Sequence, residues 1–201
     1  MDRETGWQIL LEHVKERGLQ RHMQAVEAAM RWYAEHLGED PELWGLAGLL
    51  HDFDWEIHPT REQHPKDGAP ILRQRGCPEE VVQAILAHFP EGSGVEPSTP
   101  MDFALRACDE ITGLIIAATL VRPAKDVRQL KVKSVKRNWK DKLFAAAVDR
   151  DEVRQVTEEL SERCFEGKLE LWQHVGNVLT AMQGAAEDLD LDGRLAQPAA
   201  G

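Results

Sequence analysis

The stretch from Met101 to Val121 constrains this chain most. It reads MDFALRACDEITGLIIAATLV, strongly apolar on nearly every turn, with Asp109 near its middle. The spacing predicts one long helix at the centre of the core, ended at Pro123. A carboxylate there is costly unless it is paired or bound to a metal. Two explanations stand side by side: a buried ion pair with Arg106 or another base, or a ligand.

The other segments also read as helices. Ile9, Leu10 and Val14 recur at helical spacing before Gly18, and Met23, Val26, Ala29, Met30, Tyr33 and Leu37 do so before Gly38. Asp40-Pro41 is a cap followed by Pro at the first helical position, opening PELWGLAGLLHD. A loop is expected over roughly 53–66, a short helix over 67–75, and another from Pro78 through PEEVVQAILAHF. The run PEGSGVEPSTP is a surface loop, and Asp149 to Cys164 and Lys168 to Ala186 form a closing helix pair. No alternating apolar run with hairpin turns is present. The expected fold is all-α: one bundle of about eight or nine helices over residues 1–187, with a flexible tail over 188–201.

The 201 residues suit one domain, and 42% of them are hydrophobic, enough for a core. Leu114 to Val121 is too short to cross a bilayer, and MDRETGWQILLEH lacks a basic start followed by an apolar stretch. A soluble, cytoplasmic protein without membrane partners is expected. Cys77, Cys108 and Cys164 form no CxxC pair, which argues against disulfides and thiolate zinc. The net charge of −11 gives no general basic face, so no nucleic-acid partner is expected. One segment runs against that balance: Arg122 to Lys142 carries nine cations and two aspartates. It either draws an anionic ligand or is a solvated connector.

Eight histidines are placed informatively. His51-Asp52 closes an apolar helix where core meets cleft, offering a nitrogen and an oxygen donor side by side. His22 lies on the preceding helix. The order His22, His51-Asp52, Asp109 on successive helices resembles the HD superfamily of metal-dependent phosphohydrolases, over roughly residues 15–120. The resemblance implies an HD-domain bundle in which these four residues bind a divalent metal. His64, in EQHPKDG, and His88, in ILAHFPEG, stand where dinuclear members carry ligands to a second ion, with Asp52 as the bridge. Alternatively, both line a one-metal pocket.

The implied function is hydrolysis of a phosphate ester, in a nucleotide or another small phosphorylated metabolite, by water activated on one or two ions of Mn, Fe, Co, Ni, Zn or Mg. Asp52 and Lys66 are the expected catalytic residues, and Arg21, Lys133, Ser134 and Lys136 the expected phosphate contacts. Asp54 and Glu56 are weaker acid–base options. Two rivals remain: a di-iron oxygenase on the same six ligands, and a metal- or nucleotide-binding module without turnover.

Overall fold

A computed structural model describes residues 1–196 of the chain. Among them are ten α-helices and no strand, eight of the helices being seven residues or longer. The all-α expectation holds. In chain order the helices are α1 (Arg3–His13), α2 (Arg17–Leu37), α3 (Pro41–Leu50), α4 (Ala69–Gln74) and α5 (Glu79–Ala87). They continue as α6 (Pro90–Ser93), α7 (Pro100–Leu120), α8 (Val132–Trp139), α9 (Arg150–Cys164) and α10 (Leu171–Gly184). The short α6 falls inside the expected surface loop. No helix among the described residues is long and apolar enough to cross a membrane.

Caps set the helix ends. Asp40 accepts from the Glu42 and Leu43 amides and so starts α3. Asp149 does the same for Asp151 and Glu152 at α9. Thr99 and Asp102 form a reciprocal capping box at α7. Thirteen residues of α7 are buried, which makes it the core helix the sequence predicts.

The α2–α3 contact is the closest in the bundle's working half. A β-carbon at Gly48 would lie 2.7 Å from the Glu27 backbone nitrogen, so α3 approaches α2 backbone to backbone. Glu27, which is 4% exposed, is held at that crossing by Arg3 (2.6 and 2.9 Å) and Arg31 (3.1 Å). The close approach brings His22 of α2 level with His51 at the end of α3.

A second polar tie anchors α7. His174 of α10 is fully buried; its Nε2–H donates to the Ala107 carbonyl (2.9 Å), and its Nδ1 accepts from the Tyr33 hydroxyl (2.6 Å). Burial holds this imidazole neutral, its pKa brought down to about 4.

Residues 188–196, expected as part of a flexible tail, pack against the bundle. Leu189 and Leu191 are fully buried, and the Val127 amide donates to the Leu191 carbonyl at 2.7 Å. Arg17 reaches Asp190 and the Asp188 carbonyl, each at 2.8 Å. Two leucines among aspartates are too short a pattern to show periodicity, yet they close the bundle's end. Residues 197–201 of that expectation lie outside the described residues.

Two tests follow from this packing. Gly48→Ala is expected to lose about 1–3 kcal/mol through overpacking, although alanine is the better helix former; an unchanged urea midpoint would contradict the close approach. The unfolded chain takes up the His174 proton near the ordinary value of 6.5, whereas the folded chain does so only near 4. The contribution of neutral His174 is therefore complete above pH 6.5 and is lost as pH falls toward 4. The stability gap between wild type and His174→Gln should shrink by about 2–3 kcal/mol between pH 7 and 4.5. A gap independent of pH would contradict this.

Candidate metal centre

Six side chains from five parts of the chain converge in one place. His22 comes from α2, His51 and Asp52 follow α3, His64 lies in the turns before α4, His88 caps α5, and Asp109 sits in α7. His22 Nε2 lies 2.9 Å from Asp109 Oδ1 and 3.2 Å from His51 Nε2. Asp52 Oδ2 faces this group, 3.5 Å from His51 and 3.9 Å from His22. Asp52 Oδ1 faces the other way, 3.2 Å from His64 Nε2 and 3.6 Å from His88 Nε2. His64 Nε2 and His88 Nε2 are themselves 3.2 Å apart. Two donor groups, His22-His51-Asp52 and Asp52-His64-His88, thus share one carboxylate.

The outer ring nitrogens show how all four Nε2 atoms could serve as donors to a cation. His51 Nδ1–H donates to the Gly48 carbonyl (2.9 Å), and His88 Nδ1–H donates to that of Ile85 (2.5 Å). His64 Nδ1–H donates to Asp54 Oδ1 (2.7 Å). The Thr112 hydroxyl gives its proton to the Asp109 carbonyl (2.7 Å) and so accepts from His22 Nδ1–H (3.2 Å). In its neutral form, a ring held this way points an Nε2 lone pair inward. Two pairs of such lone pairs at 3.2 Å repel unless a cation or a proton lies between them. The donor set fits a divalent ion in each group.

The electrostatics run the same way. Burial opposes charge on His51, but the Asp52 and Asp109 carboxylates outweigh it and hold its pKa well above the ordinary value. Burial opposes the charge on His64 too, and Asp52 and Asp54 overcome it, raising the pKa to about 9. Burial alone would raise Asp52 and Asp109; the neighbouring imidazoles bring both well below the usual carboxylate range. Partial burial, followed by repulsion from Asp109, Glu152, Asp149 and Asp52, pushes half-buried Glu110 up to about 8.

The cluster forms the floor of a cleft of about 430 Å³ whose walls include Trp55, Arg61, Phe89, Arg106, Glu110 and Glu152. Arg61 lies over the Phe89 ring, 5.1 Å from its centroid. Trp55 is 38% exposed and meets His64 edge-on. These wall residues went unread because nothing in their local sequence distinguishes a cleft wall from a loop.

Other expected site residues stand elsewhere. Lys66 is exposed and is not among the residues lining the cleft. Arg21 is turned to the C-terminal segment, donating to the Leu189 carbonyl at 2.7 Å and facing Asp190 at 3.7 Å. Lys133, Ser134 and Lys136 lie in a separate surface groove on α8. Arg106 does not pair with Asp109; it binds Glu159 at 2.5 Å. Asp54 holds His64, while Glu56 caps the Lys15 and Glu16 amides at 2.8–3.0 Å, away from the cluster. Asp54 is completely buried and fits only because residue 68 is glycine: a β-carbon there would overlap its Oδ2.

A bundle in which three helices carry His, His-Asp and Asp to one point defines the class. Residues 19–114 match the family model described as HD domain, and this stretch of the chain is an HD domain. HD domains bind divalent metals and are generally metal-dependent hydrolases, with which the His/Asp cluster is compatible.

Among curated proteins, Ribonuclease Y of Cutibacterium acnes is 36% identical over 81 residues, 39% of this chain and 14% of that protein. Ribonuclease Y of Acidothermus cellulolyticus is 36% identical over 107 residues, 53% of this chain and 19% of its own length. Ribonuclease Y of Desulfotalea psychrophila is 32% identical over 81 residues, 40% and 15% of the two chains. The chain thus spans less than a fifth of the length of these relatives. No solved structure matches it significantly.

Proposed function

We propose that the chain is a phosphohydrolase in which His22, His51, Asp52 and Asp109 hold one divalent ion, and Asp52, His64 and His88 hold a second. The observation that carries this reading is the two-faced Asp52 carboxylate, with its Oδ2 toward one histidine pair and its Oδ1 toward the other. When bound, such ions polarise a phosphoryl oxygen and lower the pKa of water at the site.

The chain's own residues do the rest. Asp54, Thr112 and the Gly48 and Ile85 carbonyls fix the ring orientations, so the Nε2 atoms are set before any ion arrives. Arg61 lines the cleft without an acidic partner among the described residues, and it supplies positive charge to the phosphoryl oxygens. It takes the part that the sequence alone suggested for Lys66. Arg106 adds a second cation at the same wall, steadied by Glu159.

The name carried by the curated relatives, Ribonuclease Y, makes a phosphodiester the second linkage to test beside a monoester. Purified protein loaded with manganese is expected to release product anaerobically from p-nitrophenyl phosphate or from bis(p-nitrophenyl) phosphate. Asp52→Ala should lower metal affinity by more than the roughly 10–100-fold that loss of an outer hydrogen bond costs. It should also abolish turnover while the far-ultraviolet dichroism stays helical. A metal-replete, active Asp52→Ala protein would overturn the reading, and turnover only with iron and dioxygen would favour an oxygenase on the same ligands.

A further inference from the structure

The cations of α8 and the turns after it lie outside the HD-domain match, and the metal cleft does not use them. Residues 131–154 carry eight cations against four acids in a chain whose net charge is −11. Elsewhere arginines are largely committed: Arg3, Arg17, Arg31, Arg73, Arg75, Arg106, Arg128 and Arg194 all meet carboxylates. Among the described residues, Lys131, Lys133, Lys136, Arg137, Lys140 and Lys142 meet none within 4.0 Å. With twice as many cations as acids, this stretch has a field that its own acids offset only in part.

The placement of these cations gives the charge a direction. One surface groove is lined by Lys133, Ser134, Lys136, Arg137 and Lys140. A second shares Lys140 and is lined also by Lys142, Arg150 and Arg154, by Asp149 and Asp151, the latter paired with Arg154 at 2.6 Å, and by Ala147. Ala147 is also a wall of the metal cleft. The first groove therefore adjoins the second at Lys140, and the second adjoins the cleft at Ala147. Arg150 keeps the connecting turn in place by donating to the Ala145 and Val148 carbonyls at 2.9 and 2.6 Å and to that of Phe144.

Aromatic rings accompany the cations. Lys136 lies over Trp172, 5.0 Å from its centroid, and Trp172 meets Trp139 edge-on at 5.6 Å. Arg154 lies over Trp139 at 5.2 Å, and Trp172 is only partly buried. A row of cations beside a partly open indole suits a flexible ligand with a charge on every unit and a ring to stack. A single-stranded nucleic acid has both.

We propose that the face formed by α8, the 140–149 turns and the start of α9 binds a single-stranded oligonucleotide and leads it toward the metal cleft. The proposal rests on the phosphohydrolase reading only in taking that cleft as the end of the path; binding itself requires no turnover.

The test is fluorescence anisotropy of a labelled twelve-nucleotide oligouridylate with the full chain in EDTA, where hydrolysis plays no part. Binding should weaken with added potassium chloride, with a log–log slope of about −0.7 for each phosphate contacted. The triple variant Arg137→Glu, Lys140→Glu, Lys142→Glu should lose at least roughly tenfold in affinity and show a shallower slope. Its thermal melt should stay close to that of wild type, since all three side chains are exposed. Trp172→Phe should keep most of the affinity, and Trp172→Ala should weaken it with the salt slope unchanged. No binding by wild type at low salt would overturn the proposal, as would full affinity in the triple variant. Equal competition by inorganic polyphosphate, with Trp172→Ala indistinguishable from wild type, would overturn the nucleic-acid assignment. Loss of esterase activity alone would bear on the metal centre and leave this result standing.

Discussion

The arrangement depends on one carboxylate that serves two sets of imidazoles. Asp52 turns Oδ2 toward His22 and His51 and Oδ1 toward His64 and His88. In their neutral forms the facing rings repel unless a positive charge lies between their Nε2 atoms, because the single proton of each ring sits on the outer nitrogen and is donated to a partner there. The same geometry that repels in an uncharged site could hold cations. The half-buried carboxylates, held well below their ordinary range by neighbouring rings, are the other half of that balance.

The bundle is organised to hold this point still. Gly48 lets α3 lie directly on α2, and the Arg3–Glu27–Arg31 cluster fixes the crossing. His174 ties α10 to α7 two residues before Asp109. Asp54 enters the core against Gly68 to orient His64. These contacts lie one layer outside the donors, and together they set donor positions that no single helix could fix.

Much of this was legible in the sequence where chemistry and periodicity agreed. An apolar helix interrupted by Asp109 is a physical anomaly, and His51-Asp52 at the end of a buried helix is another; each marks a place where core meets cleft. His64 and His88 could be located from the resemblance. What stayed hidden depends on partners distant in sequence. Arg21 sits beside His22 in the chain yet turns to Leu189 and Asp190, 168 residues or more away. Lys66 is near His64 in sequence, while Arg61 and Arg106 are the cations that line the cleft. Asp54 looked like an acid–base option and instead orients His64. The closing strip at Leu189 and Leu191 carries too few apolar residues to announce itself, although burial shows what they do.

The shared carboxylate makes the central claim measurable. Low-temperature electron paramagnetic resonance of the manganese-saturated chain reads directly whether two ions sit on one bridge. The account predicts two bound ions per chain and an exchange-coupled spectrum, replaced by an isolated-ion signal when His64 and His88 are both changed to alanine. A spectrum of isolated ions in the saturated wild-type chain would contradict it.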